Sequence, residues 1–211
     1  MYKHISAASA ALLALGFAAA AHAIPVTVNM TADNVISSGG LCDTATCQNG
    51  TAWASLGTVP NAGDWRQADS VVLDLGAGTH SFAWQVTNTG SPSTGNPAGL
   101  LAEILWQGNA NYSSSAWEVY DVVSGNFIAL ATGYGANGGA NVWTGANGGS
   151  PIAGISTSAT WIYTANNFAE ADASAWIRTT ITIRAVPEPG VLPLLGAALL
   201  TLGLLARRRR R

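Results

Sequence analysis

The chain has 211 residues and a formal charge of −2, a balance that hides an uneven distribution. Residues 24–186 carry ten carboxylates, three arginines and no lysine, a formal charge of −7, which excludes the basic footprint of a DNA- or RNA-binding protein. The same 163 residues hold all eight tryptophans and suffice for one compact domain; sparse charge with abundant Trp, Thr, Ser, Asn and Gly suits an extracellular β domain.

In chain order, Lys3 and His4 form a short positive n-region, and Ile5 to Ala21 form an apolar h-region. Ala21-His22-Ala23 supplies small residues at a cleavage site, so residues 1–23 are expected to be a signal peptide rather than a first transmembrane helix. The exported unit is then residues 24–185. Val26 to Met30 opens it with β-branched alternation. Cys42 and Cys47, the only cysteines, are expected to close a small disulfide loop in an oxidising compartment. Metal binding would require further ligands, and His80 is the only exported histidine. No cofactor or metal is expected.

Ser70 to Leu75 places Val71, Leu73 and Leu75 on one face, and His80 to Asn88 does the same with Phe82, Trp84 and Val86. Gly76-Ala77-Gly78 lies between, so these runs read as a hairpin. Gly99 to Gln107 is apolar throughout, as in a strand buried on both faces. Ala116–Val123 and Asn126–Thr132 flank Ser124-Gly125 as a second hairpin, and Thr160–Ala165 and Trp176–Arg184 follow as strands. Ser91 to Pro97 reads as a loop. Gly133 to Pro151, with its imperfect repeat of Gly-Ala-Asn-Gly-Gly, reads as a mobile surface excursion without core. Many short strands and no long amphipathic helix predict an all-β, antiparallel β-sandwich.

The last segment, residues 186–211, has three parts. Pro187-Glu188-Pro189 cannot continue a regular element and is expected to be extended. Residues 190–206 form an apolar run of 17 residues, about 25 Å as a helix, near the lower limit for crossing a bilayer. Arg207, Arg208, Arg209, Arg210 and Arg211 then hold the end on the cytoplasmic side. A lipid-anchor signal of the GPI type has no terminal arginine block, and a permanent single-span anchor gives the Pro-Glu-Pro element no role. This tail closely resembles the PEP-CTERM sorting signal of bacterial exosortase substrates. The resemblance implies transient anchoring in the inner membrane through residues 190–206, processing by an exosortase near Pro187, and release to the envelope or extracellular matrix. It also implies a link to extracellular polysaccharide and biofilm.

A second resemblance covers Thr31 to Gln107. Thr31-Ala32-Asp33-Asn34, Gly63-Asp64-Trp65, the Val71–Val86 pair, Asn88 and Gly99-Leu100-Leu101-Ala102-Glu103-Ile104 are similar in order to galactose-binding-like jelly-roll domains, with Ser38-Gly39-Gly40 and the cysteine loop departing from that pattern. It implies a jelly-roll-like sandwich and transfers no binding residues.

Motifs for catalysis are weak. Gly133-Tyr134-Gly135-Ala136-Asn137-Gly138 satisfies G-x-G-x-x-G but lacks the strand, helix and acid that phosphate binding requires. No G-x-S-x-G accompanies His80, which reads as a solvated strand-edge residue. Glu103, Glu118 and Glu170 could pair for glycoside hydrolysis; the plainer reading of Glu103 is a sandwich-edge residue or a partner of Arg66, Arg178 or Arg184. The expectation is no enzyme. Tryptophan stacks on sugar faces, so a carbohydrate-binding module is the alternative, with Trp143 in the Gly/Asn excursion and Trp106 as candidate residues and Trp143 the best candidate for exposure. Trp84 reads as core and Trp65 as a cap on one end of the sandwich.

Overall fold

The computed structural model describes residues 23–43, 54–57, 59, 63–121, 126–167 and 174–185, with residues 196 and 199 in the tail. The strands are β1 (Ile24–Asp33), β2 (Val35–Cys42), β3 (Ala54–Ser55), β4 (Asp69–Leu75), β5 (Gly78–Thr87), β6 (Gly99–Trp106), β7 (Asn109–Tyr112), β8 (Glu118–Asp121), β9 (Asn126–Leu130), β10 (Thr132–Ala136), β11 (Thr160–Tyr163) and β12 (Ser174–Ile183). One short helix, α1 (Val142–Ala146), lies between β10 and β11. One sheet runs β10–β11–β6–β1–β4, with β7 also paired to β6; the other runs β3–β2–β5–β12–β8–β9. The pairings are antiparallel, and the two sheets form a β-sandwich.

Alternation builds the space between the sheets. In β1, Val26, Val28 and Met30 point inward and are fully buried, while Pro25, which has no N–H to give, sits before the β6 pairing begins at Val26. In β5, Phe82, Trp84 and Val86 face inward beside Thr179, Ile177 and Ala175 of β12. Trp84 stacks on Trp117 with ring centroids 5.4 Å apart and planes 12° apart. Its indole N–H donates to the Met30 sulfur at 3.0 Å, which satisfies a polar group in an apolar core.

One of the two expected hairpins is absent. The runs either side of Gly76-Ala77 are not a hairpin: β4 pairs with β1, whereas β5 pairs with β2 and β12 in the opposite sheet. Glycine turn chemistry at Gly78 (φ 148°) reverses the chain, and the apolar faces of both strands are buried by stacking across the core instead of lying side by side. The hairpin that does follow, β6 to β7, turns at Gln107-Gly108, both with positive φ (47° and 75°), as a two-residue primed turn requires. The second expected hairpin, β8 to β9, is present.

β6 is buried on both faces as its composition predicts. Leu100, Ala102 and Ile104 enter the inter-sheet core, and Leu101 faces a second cluster with Trp143, Ile152, Ile155, Ala159 and Trp161. The segment expected to be a mobile excursion supplies much of that cluster. Residues 133–136 belong to β10 at the edge of the first sheet, α1 and tight turns follow over that sheet's outer face, and Trp143 is 2% exposed.

The registers also place the chain ends. Ile24 pairs with Leu75 and Ile183 pairs with Gly78, so the start of β1 and the end of β12 lie at one pole of the sandwich. Gln107 Nε2 donates to the Arg184 carbonyl at 3.1 Å and fastens the departing chain there. Asp33, Val35, Thr87, Gly99 and Ser174 mark the opposite pole. Among the described residues no helix is long and apolar enough to cross a membrane; residues 1–22 and, apart from 196 and 199, the 190–206 run lie outside them.

Candidate functional site

The outer aromatic layer holds the leading candidate residue, Trp143. Its ring stacks on Trp161 with centroids 4.4 Å apart, Tyr134 meets it edge-on at 6.4 Å, and Trp65 meets Trp161 edge-on at 6.2 Å. The Trp143 indole N–H donates to Asp33 Oδ2 at 2.9 Å. Trp143 is therefore buried, not exposed as its loop composition predicts. The layer fits because Gly99 lies beneath it: a Cβ there would stand 2.7 Å from Trp143 Cζ2 and 3.0 Å from Trp161 Cε3. Trp106 is half-buried and packs on the inter-sheet core at the pole where the chain leaves. Of the seven tryptophans among the described residues, four are buried and three, Trp65, Trp106 and Trp176, are half-buried.

Asparagines make the excursion rigid. Asn137 Nδ2 donates to the carbonyls of Ile152 (3.0 Å) and Ile155 (2.8 Å), and its Oδ1 accepts from Ile152 N (2.7 Å). Asn141 caps α1 by accepting from Thr144 N at 2.8 Å and donates to the Ala136 carbonyl at 2.7 Å. These bonds replace the sheet ladder that glycine-rich backbone would otherwise lack.

Asp33 is the carboxylate with the most unusual surroundings. It is 5% exposed, and burial pushes its pKa from 3.8 up to about 6, against the opposing effects of the Trp143 N–H and the Arg66 charge. Asn34 Nδ2 donates to its other oxygen. Arg66, exposed, lies over the Trp65 ring at 4.3 Å. Sequence reasoning placed Asp33 in a fold signature and gave it no partner; its position at the end of an apolar alternating strand was the available signal.

Of the carboxylates considered for hydrolysis, the two described ones, Glu103 and Glu118, stand in opposite sheets and are both hydrogen-bonded. Glu103 is buried, accepts from Asn29 Nδ2 at 2.8 Å and Ser156 N at 3.0 Å, and so ties the turn before β11 to β6 instead of facing the sandwich edge or pairing with an arginine. Glu118 takes the Arg178 guanidinium at 2.9 and 2.6 Å through Nε and Nη2, one strand pair away in the other sheet. Glu170 lies outside the described residues.

His80 is 5% exposed, not solvated. Its Nδ1 lies 2.8 Å from Asp43 Oδ1 and its Nε2 2.9 Å from the Gly76 carbonyl, at a cavity of about 340 Å³ lined also by Asp74, Leu41 and Leu75. Both ring nitrogens are spent on fixing the turn between β4 and β5 to the end of β2. A second cavity of about 320 Å³ lies along Ile36–Gly39, Ser55, Gly57 and Val59.

Among the described residues there is no free cysteine; Cys42 ends β2, and Cys47 lies outside them. Pro187, Glu188, Pro189 and Arg207 to Arg211 also lie outside the described residues. No family model, curated protein or solved structure matches the chain.

Proposed function

We propose that this chain is an exported bacterial surface or extracellular-matrix protein, delivered as a membrane-anchored precursor and processed by an exosortase at the Pro187-Glu188-Pro189 tail. The observation that carries the reading is the order of the last 26 residues: proline-bracketed acid, apolar run, arginine block. Two features of the domain support it. Leader and tail attach at the same pole, through Ile24 and Ile183, so a tethered precursor presents its opposite pole outward. Glu103, Glu118 and His80 are committed to structural bonds, which favours a structural or adhesive role over catalysis. The sandwich is read as jelly-roll-like, because the chain alternates between sheets at β1–β2, β4–β5 and β5–β6. A Cys42–Cys47 bridge closing the loop after β2 belongs to the same proposal.

The test is the intact mass of the protein from envelope and medium of its host. Loss of residues 1–23 and of a piece beginning near Pro187 is the expected result. A mature mass that retains residues 190–206 would instead describe a permanent anchor and remove the sorting reading. The carbohydrate-binding alternative rests on Trp106 once Trp143 is buried. It predicts saturable binding of the host's polysaccharide that falls on Trp106→Ala, and no binding at millimolar sugar would end it.

A further inference from the structure

The excursion over the first sheet contains one five-residue unit twice, Gly135–Gly139 and Gly145–Gly149, each with an asparagine followed by glycine. In such a pair the backbone nitrogen of the glycine can attack the asparagine side-chain carbonyl carbon, and the missing Cβ leaves the approach unhindered. The fold treats the two copies oppositely.

Asn137 is 2% exposed. Its amide makes the three bonds to Ile152 and Ile155 described above, and its backbone N–H donates to the Ala159 carbonyl at 2.8 Å. A Cβ on Gly138 would stand 3.1 Å from Pro151 Cβ, so the turn is closely packed there and Asn137 cannot swing out without moving its neighbours. Asn147 ends α1 and is half-buried. Its Nδ2 reaches only the carbonyls of Ser150 (3.1 Å) and Pro151 (3.4 Å). Asn147 N–H donates to the Trp143 (2.8 Å) and Thr144 (3.2 Å) carbonyls and Gly148 N–H to the Gly145 carbonyl (3.2 Å), so the difference between the copies lies in their side chains and exposure. Gly148 and Gly149 are exposed, with φ 68° and 84°, and nothing beyond their chain neighbours lies within 4 Å of where a Cβ would be on either.

We propose that Asn147 is a site of spontaneous modification, converting to aspartate and isoaspartate, and that Asn137 is its protected twin. The Gly148 nitrogen loses its proton to solvent hydroxide and bonds to Asn147 Cγ; the Cγ–Nδ2 bond breaks and the amide nitrogen leaves as ammonia. Water then opens the cyclic imide at either carbonyl. Nothing is oxidised or reduced, and water is the only co-reactant. The product replaces a donor by a carboxylate facing the Ser150 and Pro151 carbonyl oxygens, in a domain already rich in negative charge. It therefore loosens the 147–151 turn and, through α1, the seat of Trp143. This holds whether or not the tail is a sorting signal.

The experiment is peptide mass mapping of the purified protein after incubation at mildly alkaline pH, folded and in parallel in denaturant. In the folded protein Asn147 exchanges NH for O while Asn137 does so at least ~10-fold more slowly, because its side-chain bonds must break first. In denaturant the two convert at comparable rates. Equal rates in the folded protein, or an Asn147 that stays amidated when folded while both convert in denaturant, would overturn the proposal. Asn147→Asp should lower the melting temperature and weaken the near-UV aromatic signal, and Asn147→Gln should leave both closer to the parent. Identical melting of the two variants would refute the structural consequence.

Discussion

The inter-sheet core and the outer aromatic layer use the same residue type in opposite ways. Trp84 sits in a strand whose neighbours alternate, so its place follows from period two and its N–H finds the Met30 sulfur nearby in space. Trp143 sits in glycine-rich turns, and its place depends on residues far along the chain: Gly99 for room, Trp161 for stacking and Asp33 for an acceptor 110 positions away. The first region is held by pattern, the second by a few specific contacts. Loss of one contact should therefore act differently in the two regions, globally in the first and locally in the second.

Trp84→Ala should have the largest effect. It opens a void in the fully buried core and should cost about 3–5 kcal/mol in denaturant unfolding, with both sheets lost together. Trp143→Ala should cost about 3 kcal/mol but first release the 133–159 segment, read as local exchange ahead of global unfolding. If both variants unfold in one identical transition, the outer layer is as integral as the core. Gly99→Ala sharpens the point, since the added methyl meets Trp143 at 2.7 Å and Trp161 at 3.0 Å. It should cost about 1–3 kcal/mol through overpacking, relieved in part by a smaller ring at 143.

A pH effect follows from Asp33. Its folded pKa of about 6 stands above the ordinary 3.8, so the folded state holds the proton more tightly than the unfolded chain. The stability this gives is fully present below the lower value and is lost as pH rises through the upper one, about 3 kcal/mol at most. Asp33→Asn should flatten that part of the stability curve. A parent curve with no decline between pH 4 and 6 that the variant removes would contradict the assignment.

How much was legible divides along the same line. The alternation of Val26, Val28 and Met30, of Phe82, Trp84 and Val86, and of Ile177, Ile181 and Ile183 is visible in the sequence because it is local. The apolar second face of β6, with Leu101 and Glu103, announced that something must cover it without saying what. Gly76-Ala77-Gly78 announced a reversal, but turn chemistry alone does not distinguish pairing beside a strand from crossing to the other sheet. The glycines and asparagines of 133–151 were read for what their backbones tolerate, whereas Asn137 and Asn141 act through side-chain amides whose partners arrive from other turns. The burial of His80 is not visible locally, because Asp43, its partner, is 37 residues away.

The most direct test of the account is the hydrogen exchange of the Trp143 indole N–H, resolved by NMR with Trp143→Phe to assign it. Slow exchange comparable to that of Trp161 and its neighbours in β11, insensitive to added polysaccharide, is the predicted result. Exchange as fast as a free indole, or a shift of that resonance on adding sugar, would mean that the ring is open to solvent and ligands, and the layer would be a binding platform after all.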